Sequence, residues 1–406
     1  MKKIALVGLN YDSNLGDPII YDSCKFLVER ILEKHNISEY KIISLDMSGR
    51  TSYTETFYLK EDKVVRRIRD IQTKLLGCVI KLIPSSVKLK RLRWYTSSHY
   101  HDIVAYYEKN LRDVDIIILV GGGLIKYKYQ GINYYIEEIV KIAEENSIPL
   151  MVNAAGVEGF DEKDANCQNL RKALNKKCIN IITTRDDLDT LKNKYIYNQQ
   201  IIIDRVSDSA TWISEAYNIN KKNDADVIGL GVVRSKIFKD NGIDIDEKDL
   251  LELWAGIIKE LEVKKEKWIL FTNGHKDDYD FAIKLIKYIG MESNIQDRII
   301  DKPKDPKILV NTISRFKGII GCRLHACIIA YSLDVPAVGL VWNDKLKLFG
   351  SCINYSDRFI EHNNFNAQYI VQQLEKAIEQ GYDFEEKKIY KDTVVKYLEE
   401  AINLIA

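Results

Sequence analysis

The chain has 406 residues, enough for two domains and an ample core. Hydrophobic residues make up 46% and charged residues 29% with a formal net charge of +1, which suits a soluble globular enzyme and argues against a dedicated nucleic-acid binder. The seven Cys are scattered with no C-x-x-C pair; Cys24, Cys178 and Cys327 stand in apolar contexts and read as buried thiols of a reducing cytoplasm, not as a disulfide framework.

The opening residues, MKKIALVGLNYDSNLGD, carry a short apolar run that breaks at Asn10 without a cleavage site. They read as a first strand, Lys3–Gly8, and not as a signal peptide. A loop with Asn14, Gly16 and Asp17 follows, then a helix from about Pro18 to Lys34. The loop is neither G-x-G-x-x-G nor G-x-x-x-x-G-K-[ST], so no nucleotide fingerprint is present there. Asp17 is placed to orient or deprotonate a hydroxyl, and equally to cap the helix. Tyr40–Leu45 is the second strand.

The segment 60–93 stands apart. It carries Lys60, Lys63, Arg66, Arg67, Arg69, Lys74, Lys81, Lys88, Lys90, Arg91 and Arg93 against Glu61, Asp62 and Asp70, around an apolar centre, Leu75–Pro84. A basic amphipathic stretch of this kind predicts peripheral contact with an anionic membrane surface; a solvated helical pair with one face in the core is the other reading. No run approaches the ~20 apolar residues of a spanning helix. His99 and His101 lack a nearby acidic partner and are weak metal ligands.

Val114–Val120 is a strand followed directly by Gly121, Gly122 and Gly123, which let a ligand approach the backbone or simply permit a tight turn. A helix over Tyr134–Asn146, a strand Pro149–Asn153 and a small-residue loop Ala154–Gly159 come next. A helix through Asn169–Leu174 leads to a strand Asn180–Thr183 that ends on Arg185, then a helix Asp187–Lys192 and a strand Ile201–Ile203. The polar stretch 217–226 reads as a linker. Beyond it a second series begins: strand Val227–Val233 ending on Arg234, helix Lys248–Val263, and strand Trp268–Thr272 ending on Asn273, Gly274 and His275. Helix Phe281–Gly290, strand Arg298–Ile300 and helix Leu309–Ser314 complete it. Residues 365–404 read as helices. The pattern predicts α/β architecture with two Rossmann-like domains facing a cleft, GT-B-like. The domains are 1–216, with the basic insert at about 60–93, and 227–375, with helices 376–406 packing back on the first.

The rest of the chain is organised around Gly321–Gly350. A strand Phe316–Ile320 presents Arg323, Leu324 and His325, a helix runs from Ala326 to Leu333, Pro336 ends it, and a strand Ala337–Val341 follows. Arg323 and His325 therefore stand at a strand's carboxyl end and a helix start, where open α/β sheets bind ligands and where anions are favoured. Arg offers a fork for carboxylate or phosphate, and His a proton near neutral pH; a capping Arg with a core His is the structural alternative.

Four blocks resemble the polysaccharide pyruvyl transferase family in order and spacing: Asn14–Gly16–Asp17, Gly121–Gly122–Gly123, Thr184–Arg185–Asp186, and Arg323–Leu324–His325 with Lys345 downstream. They span about Ile4 to Gly350. The stretch SDSATWI at Asp208, where the family more often has an Asp-Pro pair, and the 60–93 insert depart from the family's pattern. The resemblance implies transfer of the pyruvyl group of phosphoenolpyruvate to a sugar hydroxyl pair of a surface or capsular polysaccharide precursor, as a cyclic ketal with release of phosphate. It implies no cofactor beyond the donor, and no metal cluster is visible.

In that scheme His325 is the acid and Asp17 a candidate base; Arg234, Arg323, Leu324, Asn273, His275 and Lys345 hold the donor. Asn14, Gly16, Gly121, Gly122, Gly123 and Arg185, with Tyr127, Tyr129, Tyr134 and Tyr135, hold a sugar or lipid-linked oligosaccharide acceptor, and the enzyme works in the cytoplasm, at the inner face of the membrane if the insert touches lipid. Two other readings share the fold: a glycosyltransferase using a nucleotide sugar, for which Asp344 is the one ribose-binding acid nearby, and a non-catalytic glycan-binding protein.

Overall fold

The computed structural model describes residues 1–83, 87–126 and 131–405; Pro84, Tyr127 and Tyr129 lie outside the described residues. The chain divides into two compact units, Met1–Tyr11 with Ile31–Arg205 and the residues from Tyr397 on, and Asp12–Arg30 with Val206–Lys396. The chain passes between the units four times: at 11/12, at 30/31 inside helix Gly16–Lys34, at 205/206, upstream of the polar stretch 217–226, and at 396/397 inside helix Phe384–Asn403.

The first unit is built on strands β1 (Lys2–Gly8), β2 (Tyr40–Asp46), β3 (Ile116–Val120), β4 (Ile125–Lys126), β5 (Leu150–Ala155), β6 (Val157–Glu158), β7 (Ile179–Thr184) and β8 (Ile202–Arg205). Six of them form a sheet in the order β2-β1-β3-β5-β7-β8, and β4 pairs with β6 as a small separate ladder. Every pairing among these strands is parallel, with β1 and β2 in register from Lys2↔Tyr40 to Gly8↔Asp46. The sequence of β3, IIILV, is buried at every position, as a parallel strand covered on both faces requires. Ile117, Leu119, Val152 and Ile182 pack there with Ile136, Ile139 and Val140 of helix Gly131–Glu145. The chain's end is tied to this unit by Lys34–Glu399 at 2.6 Å, His35–Glu399 at 2.8 Å and Lys2 Nζ donating to Ile405 O.

The second unit carries β9 (Val227–Gly231), β10 (Lys267–Phe271), β11 (Phe316–Gly321), β12 (Ala337–Val341) and β13 (Phe359–Glu361) in the order β10-β9-β11-β12-β13, again all parallel. Its core joins Ile228, Leu230 and Ile320 of the sheet to Trp254, Ile257 and Leu261 of helix Glu247–Val263 and to Val371 and Leu374 of helix Ala367–Gln380.

Local structure departs from expectation where polar capping chemistry outweighs the apolar pattern. Helix Ser98–Leu111 starts on Ser97, whose side chain accepts from Tyr100 N at 3.1 Å. Asp344, which the sequence offers only as a ribose-binding acid, begins helix Asp344–Cys352, with Asn343 Oδ1 accepting from Leu346 N at 3.3 Å. The expected strand Arg298–Ile300 is instead the end of a helical turn, Ile295–Arg298, and one bridge from Ile299 to Leu270. The helix expected over Asp187–Lys192 is a short turn, Leu188–Thr190, running into a π-helical turn, Leu191–Tyr195. Among the described residues no helix is long and apolar enough to cross a membrane.

Candidate functional site

Because all five strands of the second unit are parallel, their carboxyl ends lie on one edge. β9 leads to Arg234, β10 to Thr272, Asn273 and His275, β11 to Arg323 and His325, and β12 to Asn343 and Lys345. The chain moves from β9 to β10 on one side and to β11 on the other, so β9 marks the switch point where such sheets bind ligands. The donor-side residues read from the sequence thus share this edge.

A residue that sequence reasoning missed organises them. Asp278 is fully buried in the first turn of helix Lys276–Tyr288. Its Oδ1 accepts from Arg234 N at 3.1 Å and from Arg234 Nη1 at 3.4 Å. Its Oδ2 accepts from Arg323 Nε at 2.9 Å and Nη2 at 2.5 Å. One carboxylate therefore fixes both guanidinium groups, as buried charges require. These bonds leave Nη2 of Arg234 and Nη1 of Arg323 for an anion. His275 caps the same helix: its Nδ1 accepts from Asp277 N at 3.2 Å and from Arg234 Nη1 at 3.1 Å. With Nδ1 an acceptor twice over, the neutral ring carries its hydrogen on Nε2. Burial and then the Arg234 charge hold His275 below the ordinary imidazole value. Asn273 Nδ2 and Thr272 Oγ1 are buried and have no hydrogen-bond partner among the described residues.

His325 is buried in the first turn of helix Leu324–Ser332; Arg323 is the residue at that helix's N-cap, and Leu324 begins the helix half-buried. Gly16 reaches the imidazole from the other end of the sequence. A Cβ at Gly16 would lie 2.1 Å from His325 Nδ1, so any other residue here must displace the ring. The loop before it is anchored by Leu15 N, which donates to Asn273 O at 3.2 Å. Asn14 N donates to Asp12 Oδ1, and Asp17 sits half-buried one residue after Gly16, in the first turn of helix Gly16–Lys34. Asn14 and Gly16, expected with the acceptor-side glycine loop, belong instead to the unit that holds His325. On the ring's other nitrogen, Asp208 Oδ2 stands 3.8 Å from His325 Nε2, while Asp208 Oδ1 caps the 3-10 turn Ser209–Trp212. Lys345 is half-buried at the second position of helix Asp344–Cys352, on the same edge. A cavity of about 300 Å³ lined by Trp212, Glu215, Ser332 and Lys391 meets helix Leu324–Ser332 at the end opposite His325.

The other predicted residues form a separate group in the first unit. Gly121 and Gly122 are buried, and Gly123 half-buried, at the end of β3. Gly156 N donates to Gly122 O at 2.8 Å, and a Cβ at Gly156 would stand 2.1 Å from that oxygen. The glycines thus let two loops close on each other. Ala154, at φ +47°, is held in the left-handed region, with its N–H donating to Thr183 Oγ1 at 2.8 Å. Arg185 is buried beside Asp186, whose Oδ1 accepts from Val157 N, Thr184 Oγ1 and Asp187 N. Tyr134 and Tyr135, expected to face a sugar, pack on Trp94: Tyr134 is stacked at 5.5 Å and Tyr135 edge-on at 5.3 Å. His99 joins them, edge-on to Trp94 with Nε2 3.2 Å from Tyr135 Oη, and burial lowers its imidazole value.

Residues 14–344 match the family model described as polysaccharide pyruvyl transferase. No curated protein sequence matches the chain. Among solved structures, the UDP-GlcNAc 2-epimerase of Methanocaldococcus jannaschii aligns over 99% of this chain and 100% of its own at 13% identity and a TM-score of 0.56. The Neisseria meningitidis UDP-GlcNAc 2-epimerase bound to UDP-GlcNAc aligns over the same shares at 13% identity and a TM-score of 0.54. At that identity the likeness is one of fold, and the fold is GT-B-like, built from two Rossmann-like α/β units.

Proposed function

The chain belongs to the polysaccharide pyruvyl transferase family, and from that premise we propose that it moves the pyruvyl group of phosphoenolpyruvate onto a pair of sugar hydroxyls as a cyclic ketal. The observation that carries the reading is the convergence of His325 with Arg234 and Arg323, both held by Asp278, at one edge of a parallel sheet. Phosphoenolpyruvate brings a carboxylate and a phosphate. The edges of Arg234 and Arg323 not engaged by Asp278, the Asn273 Nδ2 that has no partner among the described residues, and the N-terminus of helix Leu324–Ser332 offer matching donors.

His325 supplies a proton to the methylene carbon, which leaves carbon 2 electrophilic. A carboxylate at the distance of Asp208 stabilises the imidazolium that holds this proton. One sugar hydroxyl adds to carbon 2 and loses its proton, with Asp17 as the candidate base. The C–O bond to phosphate then breaks, its charge met by the arginines. The neighbouring hydroxyl closes the ring and loses its proton. Of the two hydroxyl protons, one replaces that given by His325 and one leaves with phosphate. The acceptor is a sugar of a polysaccharide precursor, and the glycine loops with Arg185 in the first unit are the candidate residues for it.

The test is calorimetry with phosphoenolpyruvate and a panel of nucleotide sugars, joined to phosphate release in the presence of glycoside acceptors. Saturable phosphoenolpyruvate binding that is lost in Arg323→Ala supports the reading. His325→Ala should keep donor binding while turnover falls by roughly 10²–10⁴-fold. Binding of a nucleotide sugar without phosphoenolpyruvate would overturn it.

A further inference from the structure

Helix Lys63–Leu82 has no buried residue, yet it carries a continuous apolar stripe. Val64, Ile68, Ile71, Leu75, Val79 and Leu82 follow one another at spacings of three and four and are 42–83% exposed. At 3.6 residues per turn the six fall within an arc of roughly 80°. The opposite face is the one that meets the protein. Arg66 reaches Asp102 at 2.7 Å, Arg69 pairs with Glu61, Gly77 lies 3.4 Å from the Arg93 guanidinium by its would-be Cβ, and Ile80 is half-buried. The stripe is therefore not waiting for an internal neighbour, because this helix has already used its inward side.

The charge beside the stripe is one-sided. Lys63, Arg67, Lys74 and Lys81 are exposed along one flank within an arc of roughly 40°. None of the four has an ion-pair partner among the described residues, and Asp70 is the one acid beside them. Three cations of the segment that might have been counted with them are already engaged: Arg66 and Arg69 as above, and Arg91 with Glu137.

We propose that helix Lys63–Leu82 docks flat on an anionic lipid surface, its apolar stripe between the acyl chains and its basic flank among the headgroups. The charge pattern favours lipid over a second copy of the chain. A partner helix of the same sequence would set cation against cation along the flank with almost no acid to answer it, whereas an anionic surface complements both features at once. The helix carries too many charges to cross a bilayer, and no helix among the described residues is long and apolar enough to do so. The inference stands on this helix alone and does not depend on the reaction proposed above.

The native thiol Cys78 is exposed on this helix and provides a reporter. In a Cys352→Ser background, an environment-sensitive fluorophore on Cys78 should shift to the blue with phosphatidylcholine vesicles containing phosphatidylglycerol, and not with phosphatidylcholine alone. Co-sedimentation should follow the same pattern and weaken as salt is raised. Ile68→Ser with Leu75→Ser should weaken partition by about tenfold or more, since each removes an apolar side chain from the lipid. Lys63→Gln, Arg67→Gln, Lys74→Gln and Lys81→Gln together should abolish the preference for phosphatidylglycerol. Both variants should keep the wild-type melting curve, because the changed side chains face solvent. Arg66→Gln with Arg69→Gln should lower stability and leave vesicle binding intact. No binding to anionic vesicles, or binding unchanged in both surface variants, overturns the proposal. So does a concentration-dependent dimer in sedimentation velocity that Ile68→Ser with Leu75→Ser dissolves, which assigns the face to a second copy.

Discussion

Gly16→Ala adds one methyl group at the tightest point of the candidate site. The new Cβ would stand 2.1 Å from His325 Nδ1, 2.6 Å from Cγ and 2.8 Å from Cε1. Ordinary contact begins at 3.4 Å, and the ring is buried, so it cannot swing into solvent. The imidazole must recede by roughly 1 Å, a misplacement that costs on the order of 10²-fold in rate where reacting groups have to align. Two stability effects oppose each other. Helix Gly16–Lys34 begins at this residue, and alanine is the better helix former by ~0.5–1 kcal/mol. Overpacking costs ~1–3 kcal/mol. The collision should win, with a net loss of about 1 kcal/mol in urea unfolding and a fall of about 10²-fold in phosphate release at unchanged donor affinity. His325→Ala removes the obstacle. In that background Gly16→Ala should be neutral or stabilising, giving a coupling energy of about 1–2 kcal/mol in a double-mutant cycle. Wild-type rate and stability in Gly16→Ala, or the same penalty with and without the His325 ring, would refute the reasoning.

Asp278→Ala should cost about 3 kcal/mol in urea unfolding, because it strands two guanidinium groups that share a buried carboxylate, and it should abolish calorimetric donor binding. A stable variant that still binds would show that Asp278 does not set the arginines. Asp208→Asn should lower turnover by about tenfold with donor affinity intact and move the alkaline limb of the pH–rate profile to lower pH, as expected when an imidazolium loses a nearby carboxylate. An unchanged profile would leave Asp208 as a turn cap only. His275 is held below its ordinary value of 6.5, so the unfolded chain takes up this proton more readily than the folded one. Its contribution to stability is therefore complete above pH 6.5 and is lost as pH falls from there through the depressed folded value. His275→Gln should flatten that part of the stability curve; an identical slope in urea midpoints between wild type and variant would contradict the assignment.

The strands were legible because a parallel strand buried on both faces announces itself as a short apolar run, as in Ile116–Val120 and Ala337–Val341. Residues at the ends of such strands follow at once, which is why Arg234, His275, Arg323 and His325 were found together on one edge. Asp278 was not, because an acid in the first turn of a helix has the same sequence appearance whether it answers the helix dipole or gathers two arginines. Asn343 hid a helix for a related reason, since a capping Asn resembles a loop Asn until its acceptor is seen. Clustered Tyr residues suit a sugar face or a core equally in sequence, and Tyr134 and Tyr135 pack on Trp94. The meeting of Gly16 with His325 could not be read at all: it joins opposite ends of the chain, and nothing in a glycine's neighbours says which side chain it makes room for.

The electrostatics of the edge bear on how a chain of almost neutral net charge would hold the charged donor proposed above. Asp278 neutralises about half of what Arg234 and Arg323 bring, so raw cationic charge is not what the site offers. What Asp278 provides is orientation, turning two flexible forks into fixed ones with one free edge each. The remaining positive potential comes from dipoles and placement: helices Leu324–Ser332 and Asp344–Cys352 both begin on this edge, the second with Lys345 in its first turn. Preorganised donors of this kind need no rearrangement when phosphate departs, and that suits the proposed reaction, in which negative charge shifts onto the bridging oxygen as it leaves with phosphate. A site built from loose lysines would attract the same anion more strongly and stabilise that shift less.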